Sequence, residues 1–125
     1  MSVFSGEFIL KQTRLLKRLS GQVFFRKKGF DELLVYHIKA EKGNDTLLGE
    51  LTVLLEKGKL NEGENRLFEE FDENPSGGNF AAGVLFYQKM LGYSDEELKE
   101  WDFSLLELCE GFAELCDGFG IEEIL

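Results

Sequence analysis

Apolar residues recur at helical spacing through residues 3–20. At about 100° per residue, Phe4, Phe8, Ile9, Leu15, Leu16 and Leu19 fill one arc of a helix wheel. Lys11, Arg14, Lys17 and Arg18 fill the arc opposite. The pattern predicts a basic amphipathic helix within 1–21. Ser20 and Gly21 would end or bend it, since both favour caps and turns.

The next stretch, 22–45, keeps no single period. "QVFFRKKGF" fits either a strand or a continuation of the first helix. "DELLVYHIKAEKGN" reads as a helix with Asp31 as N-cap and Gly43 and Asn44 as its stop. Its "LLVYHI" core also has the composition of a strand.

From residue 45 the helical period is clear. Asp45 or Thr46 caps a helix whose apolar side is Leu47, Leu48, Leu51, Leu54 and Leu55, with Gly58 as its end. A short turn leads into a helix over about 60–73, with Leu60, Leu67, Phe68 and Phe71 turned inward. "ENPSGG", which holds the chain's only proline, Pro75, then breaks the helix. Residues 79–91 are apolar on nearly every side, as expected of a helix at the centre of a bundle, and Gly83 lets a neighbour come close. Ser94 with Glu97, and Ser104 with Glu107, form two capping-box patterns. They open a short helix to Trp101 and a last helix lined by Leu105, Leu108, Cys109, Phe112, Leu115, Cys116 and Phe119. Five to seven helices follow, and an all-α antiparallel bundle.

Composition narrows the function. A chain of 125 residues, 43% hydrophobic, supports one domain, here 1–125, with one packed core. No apolar run approaches the roughly 20 residues that span a bilayer. The N-terminal apolar run is short and its basic residues follow it, so a secretory signal is not expected and a cytoplasmic location is. Charge is polarised along the chain. Residues 1–42 hold nine basic and four acidic residues, a balance of +5, whereas 43–125 hold five and twenty, a balance of −15. The net −10 opposes nucleic acid binding. A basic segment on an acidic body (45–121) either docks on that body or offers an interaction surface.

Catalytic and metal chemistry find little support. His37 is the only histidine and has no ligand-spaced partners. Cys109 and Cys116 stand two helical turns apart, roughly 10 Å, which exceeds disulfide reach and places both on the apolar stripe as small hydrophobes. Asp72, Asn74, Ser76 and Gly77 imitate the start of a calcium loop, but its twelfth position, which needs a bidentate Glu, is Gly83. Neither a phosphate loop nor a nucleophile elbow occurs. No enzyme activity, cofactor or metal is therefore expected. Trp101 either plugs the bundle end or anchors a partner, since Trp is enriched at binding hot spots.

Two resemblances add to this. Residues 44–75 resemble one degenerate tetratricopeptide repeat, a hairpin of two helices in about 34 residues. "EKGKLNEG" sits at the inter-helix turn, Gly63 at the small contact position, Leu67 at the next large apolar one and Pro75 at the terminal proline. Glu50 and Leu51 depart from the repeat's Leu-Gly pair, and no second copy follows. Over 47–121, "LLEKGKLNEGENRLFEEFDEN", "LGYSDEELKEWDFS" and "GFAELCDGFGI" resemble a family of short helical bacterial proteins, mainly of Firmicutes, catalogued as a domain of unknown function. Its members similarly begin with a basic amphipathic helix. That resemblance implies a helical, bacterial, cytosolic protein and no catalytic residues. The expectation is a protein-interaction or self-association module, including a homodimer, with Phe4, Phe8, Lys11, Arg14, Lys17, Arg18 and Trp101 as contact residues. The alternative is a membrane-surface binder in which the first helix lies among lipid headgroups.

Overall fold

The computed structural model of the chain describes residues 3–18, 22–27, 33–37 and 45–122, with side-chain placement from Gly6 to Arg18 and from Thr46 to Gly120. The described elements are α1 (Val3–Arg18), β1 (Gln22–Lys27), β2 (Leu33–His37), α2 (Asp45–Glu56), α3 (Leu60–Glu73), α4 (Gly77–Leu91), α5 (Asp95–Glu100), α6 (Leu105–Phe119) and β3 (Ile121–Glu122).

α4 lies at the centre and touches α1, α2, α3 and α6. Its near-uniform apolarity places Phe80, Ala81, Ala82, Val84, Phe86, Tyr87 and Met90 in the core. At Gly83 a β-carbon would meet Leu115 at 2.6 Å and Leu67 at 3.2 Å, so α3, α4 and α6 converge there. Asn79 is the one buried polar residue of the described core. Its amide side chain donates to the Asn74 carbonyl at 2.9 Å.

The helix ends follow the local chemistry. Ser94 with Glu97 and Ser104 with Glu107 form complete capping boxes, each hydroxyl accepting from the N3 amide while the glutamate accepts from the cap amide. Ser76 caps α4, and Gly120 closes α6 in the left-handed region.

Six helices form the expected bundle, and three short strands add a small sheet to it. β1 lies between β2 and β3, antiparallel to both. The helix expected from Asp31 is corrected: Leu33–His37 is a strand paired with β1, Val23 opposite Tyr36 and Phe25 opposite Leu34. Consecutive apolar, β-branched and aromatic residues fit a paired strand better than an amphipathic helix. "QVFF" likewise resolves to strand. The expected caps and stops at Ser20, Gly21, Asp31, Gly43 and Asn44, and the arc residue Leu19, lie outside the described residues. Arg26 pairs in register with Glu122 and Lys27 with Ile121.

Candidate functional site

The apolar arc of α1 packs inward. Leu16 is fully buried, and Phe8, Ile9 and Leu15 are partly buried against the core, with α4 and α6 as the helices beneath. Two polar contacts fix the docking. Gln88 of α4 donates to the Leu16 carbonyl at 3.0 Å, and the Cys109 thiol donates to the Ile9 carbonyl at 3.9 Å. Burial pushes that thiol up to about 11, with Glu110 adding to the shift, so Cys109 is a packed thiol rather than a nucleophile. Lys11, Arg14, Lys17 and Arg18 stay exposed on the outer face, as the wheel predicts. The side chain of Phe4 is outside the described placement.

The outer face is not uniformly polar. Leu10, between Arg14 and Lys17 on the wheel, is 50% exposed. It borders an open groove of about 470 Å³ between α1 and the residues that begin α5 and α6. Ile9, Leu10, Leu91, Tyr93 and Leu105 form its apolar surface, with Lys17 on the α1 wall and Asp95 on the α5 wall. Neither charge has an ion-pair partner among the described residues.

Trp101 stands behind this groove. Its ring meets Tyr93 edge-on at 4.8 Å and covers Gly58, where a β-carbon would lie 2.6 Å from the indole. Gly58 also has φ of +71°, which side-chain-bearing residues rarely adopt. The half-buried indole thus packs the turn between α2 and α3 and backs the groove through Tyr93.

A second groove, along α2 and α3, is lined by Glu50, Val53, Leu54, Glu62 and Arg66, and Val53 is 47% exposed. Its charges are already satisfied. Arg66 donates to Glu50 at 2.6 Å and to Glu70 at 2.8 Å, which holds the guanidinium more firmly charged than usual. That clamp joins α2 to α3 and leaves little unmet chemistry for a ligand.

Sequence reasoning missed one polar pair. The Tyr87 hydroxyl donates to Glu64 Oε2 at 2.7 Å, linking α4 to α3, while Gly111 of α6 lies against both. Burial raises the Glu64 carboxyl above its usual value. The Tyr87 hydrogen bond opposes that shift, and repulsion from Glu107, Glu114 and Glu110 adds to it. Burial and the Glu64 charge raise the Tyr87 phenol in turn. The signal was present: Glu64 falls on the stripe of Leu60, Gly63, Leu67 and Phe71, four residues from Leu60. A carboxylate on an apolar stripe needs a buried partner.

Among the described residues no group of three or more His, Cys, Asp or Glu side chains could hold a metal ion, and no helix is long and apolar enough to cross a membrane. Among the described residues, the fold and site define a bundle of six helices with a docked amphipathic first helix and an apolar groove whose Lys17 and Asp95 have no ion-pair partner. The chain belongs to a family of unknown function, DUF6483, whose model matches residues 3–120. No curated protein and no solved structure shows significant similarity to it.

Proposed function

We infer that this is a non-catalytic interaction module whose binding face is the groove between α1 and the starts of α5 and α6. The observation that carries the reading is Leu10. A helix whose apolar arc already packs on the core still presents a half-exposed leucine beside an apolar groove, with charged walls that have no partner of their own. Apolar centres with polar rims are the usual anatomy of a protein interface. The helix–turn–helix hairpin of α2 and α3, over residues whose sequence resembles one tetratricopeptide repeat, supports the same reading.

Peripheral membrane binding is the competing function. It would require α1 to release Leu16 and Phe8 from the core before inserting them, or to bind through Leu10 and its basic neighbours alone. Tagged full-length protein in a native extract tests the main reading. A protein retained by wild type and Val53→Glu but lost with Leu10→Glu supports it, and equal retention by all three opposes it. Co-sedimentation with anionic vesicles that is lost in Arg14→Glu would favour the membrane surface instead.

A further inference from the structure

The two walls of the groove carry opposite charge. On α1, Lys17 borders it and Arg14 lies one turn beyond Leu10; on α5, Asp95 borders it and Glu96 follows. All four side chains are exposed, and none has an ion-pair partner among the described residues. The apolar surface of the groove is Ile9, Leu10, Leu91, Tyr93 and Leu105. Leu10 is the most exposed of the three large exposed apolar residues of the described chain, and it lines this groove.

A surface that is basic on one side, apolar in the middle and acidic on the other is complementary to itself. Resting on the interface reading above, we propose that its occupant is a second copy of this chain, docked face to face across a two-fold axis that runs along the groove. The axis follows from charge. A two-fold axis in the interface plane and parallel to the groove exchanges the walls, so Lys17 of each copy faces Asp95 of the other. An axis across the groove would set basic wall on basic wall and acidic on acidic, and like charges at an interface are strongly unfavourable. Leu10 lines the same groove as both charges, and covering it with the partner's surface would exclude water from the charge pairs and strengthen them.

Sedimentation equilibrium of the full chain over a dilution series tests the proposal. Wild type is expected to dimerise and to dissociate on dilution. Lys17→Asp and Asp95→Lys should each weaken dimerisation by more than about tenfold. Mixing these two single variants should restore a dimer, because residue 17 of each copy then faces an opposite charge at residue 95 of the other. A bridge within one chain cannot be rescued by mixing. Leu10→Glu should abolish the dimer, and Val53→Glu should leave it intact, each with an unchanged unfolding midpoint at concentrations where wild type is monomeric. A monomeric wild type, equal effects of the Leu10 and Val53 changes, or no rescue on mixing would overturn self-docking. If wild type is monomeric while Leu10→Glu still loses a captured protein, self-docking fails and the interface reading survives. If Leu10→Glu changes neither mass nor capture, both fail.

Discussion

The Tyr87 hydroxyl and the Glu64 carboxylate, 2.7 Å apart, form the polar link between α3 and α4 in a part-buried setting. Their replacement should separate hydrogen bonding from charge. Tyr87→Phe removes the donor and leaves a desolvated carboxylate, a loss of about 1.5–3 kcal/mol for a hydrogen bond to a charged group. Glu64→Gln keeps an acceptor for the hydroxyl and removes the charge facing Glu107, Glu110 and Glu114. The folded carboxyl binds its proton more tightly than the unfolded one, so its ionisation opposes folding. That opposition is absent below the unfolded value, grows between the unfolded and folded values and is constant above the folded one. The stability of Glu64→Gln relative to wild type should therefore increase as pH rises above the ordinary carboxyl range and then level off. Urea melts of both proteins at each pH check this, and a constant difference would contradict it.

Glycine replacements should differ in sign according to what lies above them. At Gly111 a β-carbon would press on the Tyr87 ring, whose Cζ would be 2.9 Å away. Gly111→Ala should destabilise by about 1–3 kcal/mol, as overpacking outweighs the gain in helix propensity. Gly49, exposed on α2, has nothing within 4 Å of the corresponding position. Gly49→Ala should stabilise by about 0.4–1 kcal/mol. Denaturation midpoints of opposite displacement are the expected result.

The pattern of the sequence located α2 to α6 closely because their ends are written in local chemistry. Two serine–glutamate boxes, Pro75, and glycines at 58, 92 and 120 each act within a few residues. The sheet is another matter. Lys27 pairs with Ile121, and no local rule connects positions so far apart in the chain. Gly118 does not end the last helix: α6 runs through it to Phe119, with the Phe71 ring against it. Of the site, the basic outer face of α1 was legible from its period. Leu10 was not singled out, because a lone leucine among basic residues means little until Leu91, Tyr93 and Leu105 are seen beside it. Glu64 was not read as a site residue, although its spacing from Leu60 and Leu67 sets it on the buried stripe of α3.

The two cysteines should behave as core side chains. Cys109 has no exposed surface and Cys116 is 9% exposed, and burial raises the Cys109 thiol to about 11. A thiol reagent at neutral pH should label both slowly in the native protein and rapidly in denaturant, because the thiolate is the reactive form. Fast native labelling of Cys109 would mean that α1, whose Ile9 carbonyl meets that thiol, opens readily.

The docking of α1 can be read from two leucines of the same helix. Leu16 has no exposed surface, whereas Leu10 is 50% exposed. Truncating Leu16 to alanine removes buried methyl groups and leaves a cavity among core side chains, a loss of about 2–5 kcal/mol. Leu10→Ala exposes no new core and should change monomer stability by less than about 0.5 kcal/mol. Leu16→Glu is harsher, because it places a carboxylate where burial without a partner is costly. Deletion of residues 1–20 removes the same cover from α4 and α6 and also the Gln88 contact to the Leu16 carbonyl. It should lower the unfolding midpoint or expose enough apolar surface to cause aggregation. The order of effects carries the argument: Leu16→Glu and the deletion most severe, Leu16→Ala intermediate, Leu10→Ala near zero. Calorimetry on the four proteins measures that order. Were the deletion to melt with wild type and stay monodisperse, α1 would be a free arm, its apolar arc would be available to a membrane or a foreign partner, and the groove it helps to form would not exist in solution.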